Sequence, residues 1–215
     1  MTAGHDKLDE YILAHSSPEP PHLQRLSRKV NTRLLYSRMC SGHLQGRILK
    51  MLTTMINPLN VLELGTYAGY SALCIAEGLL RDDARVTTIE VDDEMEDFIR
   101  QALASHPCGQ KVNLIIGDAL KIIPELADAC WDMVYIDANK RHYTAYFQLL
   151  IDKIPSGGYI IADNTLWDGK VADLGPRPDP QTAGILEFND VVAADPRLET
   201  VIVPLRDGLT IIRKK

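Results

Sequence analysis

The sequence predicts an α/β protein whose sheet is mostly parallel and ends in an antiparallel hairpin. Three observations carry this. Short apolar runs at Asn60–Leu64, Arg85–Glu90, Val112–Ile116, Met133–Ile136 and 159–162 alternate with helical patterns at 70–80, 93–105, 119–127 and 140–154. That alternation marks βαβ units with right-handed crossovers. Two more runs, 200–205 and 209–212, are joined by Arg206-Asp207-Gly208, and glycine in so short a connection is a hairpin signal. Upstream of Pro58 the apolar spacing is helical. The expectation is one domain over 1–215, with N-terminal helices over 1–57, a seven-stranded core over 58–215 and helices on both faces of the sheet.

The elements follow in order. Helical patterns over 6–14 and 21–36 are separated by Pro18, Pro20 and Pro21, and Pro21 suits a first helical turn, where no amide donor is needed. From 43 to 56, Leu44, Ile48, Leu49, Leu52, Met55 and Ile56 recur at helical spacing until Pro58 stops the helix. The Leu23, Leu26, Val30 and Leu34 stripe fits either a core face or the seam of a homodimer. After the fifth strand, 174–181 carries Pro176, Pro178 and Pro180 and reads as a lid or a connection. A helix over 186–194 leads to the hairpin.

Composition narrows the function. The 215 residues are 46% hydrophobic and 24% charged, which suits one folded domain. The net charge of −6 is a poor start for gripping nucleic acid phosphates. Cys40, Cys74, Cys108 and Cys130 form no C-x-x-C pair, so neither a zinc knot nor a redox motif is indicated. Cys40, Cys74 and Cys130 sit beside apolar residues and read as small buried hydrophobes. The first ten residues have no apolar signal core, and no apolar run approaches the roughly 18 residues a membrane span needs. The expected location is the cytoplasm, with no membrane partner.

The first strand ends in Val61-Leu62-Glu63-Leu64-Gly65-Thr66-Tyr67-Ala68-Gly69. Gly65 and Gly69 flank a tight strand-to-helix turn where backbone can approach a ligand. Tyr67 stands where the dinucleotide pattern G-x-G-x-x-G needs its second glycine, which argues against a nicotinamide dehydrogenase. The pattern E-x-G-x-x-x-G suits an adenosyl group carrying an amino acid. Glu90 ends the second strand, 25 residues after Gly65, where an acid can accept both ribose hydroxyls. Gly117-Asp118-Ala119 follows the third strand and is placed to meet an adenine edge.

The fourth and fifth strands both end in acids, Asp137 and Asp163, with Asn164 next. If the two strands are neighbours, about 4.8 Å apart, these three oxygen donors converge. With no His or Cys in the set, a hard cation is selected, and Mg²⁺ suits best. The plain alternative is that each Asp caps the segment after it. Lys140 lies three residues after Asp137. Beside a metal and a sulfonium its pKa would fall, fitting it to act as general base toward a substrate hydroxyl.

With these residues the chain closely resembles the cation-dependent O-methyltransferases, which include catechol O-methyltransferase, plant caffeoyl-CoA O-methyltransferases and small bacterial relatives. The resemblance runs from about Pro21 to Arg213. It rests on Leu62-Glu63-Leu64-Gly65-Thr66 with Gly69-Tyr70-Ser71, Asp137-Ala138-x-Lys140, Asp163-Asn164-Thr165-Leu166-Trp167 with Gly169 and Val171, Ala193-Ala194-Asp195-Pro196-Arg197, and Asp207-Gly208. It implies a Rossmann-like class I methyltransferase fold and S-adenosylmethionine as cofactor. It places Glu63, Gly65, Tyr70 and Ser71 at the cofactor's amino acid part, Glu90 at its ribose, and Asp118 and Ala119 at its adenine. Met39-Cys40-Ser41 with Gly46 would pack on the methionine portion and methyl group. The metal ligands fall on Asp137, which also borders the cofactor, Asp163 and Asn164; the base falls on Lys140; and Trp167 lines the substrate pocket. Two departures are visible: Asn139 replaces the family's frequent Asp, and 170–182 is shorter than in the plant enzymes, which points away from a CoA thioester.

The expected reaction is methyl transfer to a catechol-type vicinal diol, a small-molecule partner. One alternative keeps the machinery and methylates a hydroxyuridine in tRNA, with Arg141, His142, Lys170 and Arg177 as a basic rim. Another is a cofactor-binding protein without catalysis. The resemblance also implies a homodimer through the N-terminal helices.

Overall fold

The structure, a computed structural model, describes residues 3–126, 129–173 and 177–215. The expected end of the third crossover helix at Ala127, and Leu174 and Pro176 of the proline loop, lie outside the described residues. Three helices come first: α1 (Ala3–Ala14), α2 (Pro21–Arg33) and α3 (Gly42–Ile56). Then β1 (Asn60–Leu64), α4 (Tyr70–Gly78), β2 (Arg85–Glu90), α5 (Glu96–Ala104), β3 (Val112–Ile116), α6 (Ala119–Glu125), β4 (Met133–Ile136), α7 (Tyr143–Leu150) and β5 (Tyr159–Asp163) alternate. The chain closes with α8 (Pro180–Ala194), β6 (Leu198–Val203) and β7 (Leu209–Lys214).

The strands form one seven-stranded sheet in the order β3-β2-β1-β4-β5-β7-β6. The β1–β2, β1–β4, β2–β3 and β4–β5 pairs are parallel, and β7 runs antiparallel to both β5 and β6. The central strands read as unbroken apolar runs because both faces are covered, as parallel sheets require. Their alternate residues sort between two layers. Leu62, Leu64, Val134, Ile136, Ile160 and Ala162 pack with Ile123, Phe147 and Phe188 of α6, α7 and α8. Val61, Met133, Tyr135 and Ile161 pack with Leu49, Ile75 and Ala76 of α3 and α4.

Helix ends depart from the expected bounds. Residues 93–95, 140–142 and 151–153 are single 3₁₀ turns rather than α-helix. Helix α8 starts at Pro180, six residues before the expected 186, because Asp179 caps it by accepting from the amides of Gln181 and Thr182. Leu23, Leu26 and Val30 of the apolar stripe are buried in the chain's own core, against α4 and α5, and Leu34 is partly buried beside them, so the stripe serves as a core face. Cys130 is exposed, contrary to expectation. It lies in the approach to β4, where Trp131 takes the buried place. Among the described residues, no helix is long and apolar enough to cross a membrane.

Candidate active site

The sheet order changes direction between β1 and β4, and the C-terminal ends of β1, β2, β4 and β5 gather around that point. Such a switch point opens a crevice at the carboxyl edge of the sheet. Gly65 turns the chain there with φ +90°, and a Cβ on it would collide with the backbone carbonyl of Asp137. The turn is therefore built on a residue without a side chain, pressed against the end of β4. Gly69 enters α4 with φ +80°.

Three acids stand around this turn. Glu63 is fully buried; its Oε2 accepts from the Thr88 hydroxyl at 2.5 Å, while Oε1 is buried with no hydrogen-bond partner. Burial pushes its carboxyl up to about 8, against the pull of Thr88 and Ser71, and the charges of Asp137 and Glu90 add to the rise. An orphaned, buried carboxyl oxygen suits a cationic donor, as the ammonium of an amino acid group would be. Glu90 points back at the turn: Oε2 accepts from the amides of Thr66 (3.1 Å) and Tyr67 (2.6 Å), and Oε1 from that of Asp92 (3.0 Å). Asp118 caps α6 by accepting from the Leu120 amide at 3.0 Å, with Ala119 buried beside it. Glycine cradle, orphaned acid and aimed acids fit an adenosyl amino acid.

Because β4 and β5 are neighbours, Asp137 and Asp163 share one edge. Asn139, not Asp137, caps the 3₁₀ turn that follows, by accepting from the Arg141 amide. Asp137 is thus free of capping, and its Oδ1 instead accepts from Lys140 Nζ at 2.7 Å. Asp163 is 4% exposed and accepts from Gln45, Tyr135 and its neighbour's amide at Asn164. Burial first, then the charge of Asp137, raises Asp163 to about 6, against Gln45, Lys140 and the Asn164 amide. Two carboxylates on neighbouring strand ends, the charge of Asp137 acting on Asp163, stand beside the amide of Asn164 held at φ +58° and make an all-oxygen set suited to a hard divalent cation.

Lys140 is 8% exposed and lies 5.2 Å from the Tyr143 ring centre and 5.9 Å from that of Trp167. Burial works against its charge, but Tyr143 and Asp137 outweigh burial and hold its pKa above the ordinary lysine value. The chain's own groups therefore push Lys140 opposite to the lowering expected from a metal and a sulfonium. Trp167 is half-buried against the core, with Lys170 Nζ 5.8 Å from its ring centre.

The other expected residues are placed less directly. Ser41 is buried and Met39 exposed in the segment before α3. Gly46 packs against Cys74 and the Tyr70 ring rather than lining the turn. The Tyr70 side chain is buried among α2 and α4 residues, with its hydroxyl bonded to Glu19, so only its backbone borders the glycine turn.

Four residues carried no sequence signal for the site. Gln45 and Tyr135 hold Asp163. The Tyr143 hydroxyl ties the carbonyls of Ile136 (3.2 Å) and Asp163 (3.0 Å), joining the ends of β4 and β5. Arg206 reaches from the hairpin turn to Gln45 and the Ser41 carbonyl.

A second polar cluster lies elsewhere. His22, Glu77 and His106 bring ligand atoms within 4.8 Å of one another. His106 Nδ1 accepts from the Cys108 amide at 3.0 Å, so its proton sits on Nε2, which faces Glu77 Oε1 at 3.3 Å. His22 Nε2 meets the same oxygen at 2.7 Å, and Arg47 donates to Oε2 at 2.7 Å. Burial resists ionisation of Glu77, but His106, His22 and Arg47 together lower it to about 2. His22 and Arg47 donate to the Glu77 carboxylate, and His106 Nε2 lies 3.3 Å from it without completing a hydrogen bond, which makes the cluster a clasp between α2, α3 and α4.

Residues 13–215 match the family model described as O-methyltransferase. The chain is 32% identical over 220 residues to caffeoyl-CoA O-methyltransferase of Petroselinum crispum, covering 97% of this chain and 91% of that protein. An O-methyltransferase from Bacillus cereus in complex with SAH superposes with a TM-score of 0.90 at 27% identity, covering 97% of each chain. The O-methyltransferase TomG from Streptomyces achromogenes, involved in tomaymycin synthesis and in complex with SAM, gives 0.90 at 25% identity over the whole of both chains.

Proposed function

The chain belongs to the O-methyltransferase family and is an S-adenosylmethionine-dependent enzyme, and we propose that it methylates one hydroxyl of a catechol-type vicinal diol with the help of a divalent cation, Mg²⁺ by preference. The observation that carries this reading is the meeting of Asp137, Asp163, Asn164 and Lys140 beside the Glu63–Gly65 turn. When bound, S-adenosylmethionine supplies an electrophilic methyl group and the cation acidifies and orients two adjacent hydroxyls.

The chain's residues do the rest. Gly65 lets the cofactor approach the backbone, and the unpartnered oxygen of Glu63 takes its ammonium. Glu90, aimed by the Thr66, Tyr67 and Asp92 amides, keeps one lone-pair site, on Oε1, for the ribose. Asp137, Asp163 and Asn164 hold the cation. Lys140 takes the hydroxyl proton at Nζ only as the neutral amine, a role that requires its pairing with Asp137 to loosen and its own ammonium proton to leave to solvent first. Trp167 and the Lys170 stem wall the substrate and limit water. The plant relatives are named for caffeoyl-CoA, and a caffeoyl group carries two adjacent ring hydroxyls, which supports the diol class. Of the four basic residues considered for tRNA, Lys170 lies over Trp167 and 3.7 Å from Asp179, so part of that rim is engaged within the chain.

The test is a substrate panel with labelled S-adenosylmethionine: catechols, caffeoyl-CoA, matched phenols with a single hydroxyl, and tRNA. Diols should be methylated and single-hydroxyl phenols should not. Equal rates on both phenol classes would overturn the diol reading, and methylation of tRNA alone would replace the substrate class.

A further inference from the structure

Asp163 is the least accessible of the acids in the proposed cation set, and its surroundings restrict what it can offer. Oδ2 accepts from Gln45 Nε2 at 2.5 Å and from the Tyr135 hydroxyl at 3.1 Å. Oδ1 accepts from the Asn164 amide at 2.8 Å. A carboxylate has about four lone-pair sites. Three are engaged, and the one left is on Oδ1.

Gln45 is itself fixed. Its Nε2 also donates to the Tyr135 hydroxyl at 2.9 Å, and its Oε1 accepts from Arg206 Nη1 at 2.9 Å. A guanidinium only donates, so the amide oxygen must face Arg206 and the NH₂ must face Asp163 and Tyr135. Arg206, at φ +50° in the hairpin turn, is held in place by the Ser41 carbonyl as well. Both donor sites of Gln45 are thereby engaged and its oxygen has a partner, at 1% exposure.

We propose that Gln45, with its amide orientation locked by Arg206, is a positioning residue that holds the Asp163 carboxylate so that Oδ1 alone is presented to the cation, as a single-oxygen ligand. This rests on the cation-dependent reading above. Outer partners of metal ligands commonly contribute about 10–100-fold to metal affinity. A buried polar network that served only the fold would not set that affinity.

The experiment titrates Mn²⁺ into the full chain, following free Mn²⁺ by electron paramagnetic resonance, with S-adenosylhomocysteine affinity as the control for folding. Gln45→Met should weaken Mn²⁺ binding about tenfold or more, raise the KM for the metal, and leave the KM for S-adenosylmethionine in place. Arg206→Met frees the amide to turn and should weaken Mn²⁺ binding in the same direction by less. Because Arg206 acts through Gln45, the double variant should bind no more weakly than Gln45→Met alone, a non-additivity that independent sites do not show. If Gln45→Met does not fold, Arg206→Met carries the test by itself. Unchanged Mn²⁺ affinity in a folded variant, with the parent binding normally and Asp163→Asn impaired, overturns the positioning role and leaves the cation site standing. A parent chain that binds no Mn²⁺, or an Asp163→Asn variant that binds as well as the parent, removes both.

Discussion

Replacing Glu63 with Gln separates the fold's interest in that residue from the cofactor's. The carboxyl is fully buried and its pKa is raised from 4.5 to about 8. A raised carboxyl pKa means the folded chain holds a proton that the unfolded chain has released. Between pH 4.5 and about 8 the folded state thus binds more protons, and stability falls as pH rises through that window. Three and a half pKa units correspond to at most about 5 kcal/mol lost by pH 9. Gln carries no such penalty. Its amide nitrogen, however, lands where Oε1 has no partner, and an unsatisfied buried donor costs about 1–3 kcal/mol. Glu63→Gln should therefore be less stable than the parent at pH 5 by about 1–3 kcal/mol and more stable at pH 9 by about 2–4 kcal/mol. Urea unfolding across pH reads the difference directly. S-adenosylhomocysteine binding, measured alongside at pH 8, should weaken about tenfold or more, because a charge-assisted bond to the ammonium is lost. A stability difference that keeps one sign from pH 5 to 9, together with unchanged cofactor affinity, would refute both the buried-acid argument and the ammonium role.

Other substitutions probe other parts of the crevice. Glu90→Ala should weaken cofactor binding by about 2–4 kcal/mol, since it removes the charged ribose acceptor and leaves the Thr66 and Tyr67 amides of the cofactor turn without their partner; calorimetry showing a change under about threefold would remove the ribose role. Gly65→Ala should cost at least about 2 kcal/mol in urea unfolding, because φ is +90° and the new Cβ meets the Asp137 carbonyl; a loss under about 0.5 kcal/mol would show that the turn gives way. Lys140→Ala should lower kcat by about 10²-fold or more with little change in cofactor affinity. Raising the pH should restore much of that rate, whereas superimposable pH–rate profiles for variant and parent would end the base assignment.

The sheet was legible because burial on both faces writes itself as short apolar runs, and β1 through β4 begin and end where those runs do. The acids at the strand ends were legible for a related reason: a polar residue that closes an apolar run must sit at the sheet edge. Helix ends were less so. The proline-rich stretch obscured Asp179-Pro180, although an Asp cap followed by Pro at the first helical position is itself a start signal. Cys130 misled because apolar neighbours in sequence do not decide which side chain of a loop turns inward. Gln45 and Arg206 had no sequence signal. They meet across 161 residues, and each looks like an ordinary solvated side chain until the hairpin turn folds over the start of α3. What the chain's own groups do to Lys140 was likewise hidden, since it depends on Tyr143 and Asp137 enclosing the ammonium.

The central claim is that cofactor binding and cation chemistry reside on different residues of one crevice: Glu63, Gly65 and Glu90 for the first, Asp137, Asp163 and Asn164 for the second. Methyl transfer from S-adenosylmethionine to a catechol, measured before and after treatment with EDTA and again after Mg²⁺ is restored, with S-adenosylhomocysteine affinity followed in the same samples, tests this most directly. Turnover should vanish with the chelator and return with Mg²⁺ while cofactor affinity holds steady. A rate that EDTA leaves unchanged would contradict the account.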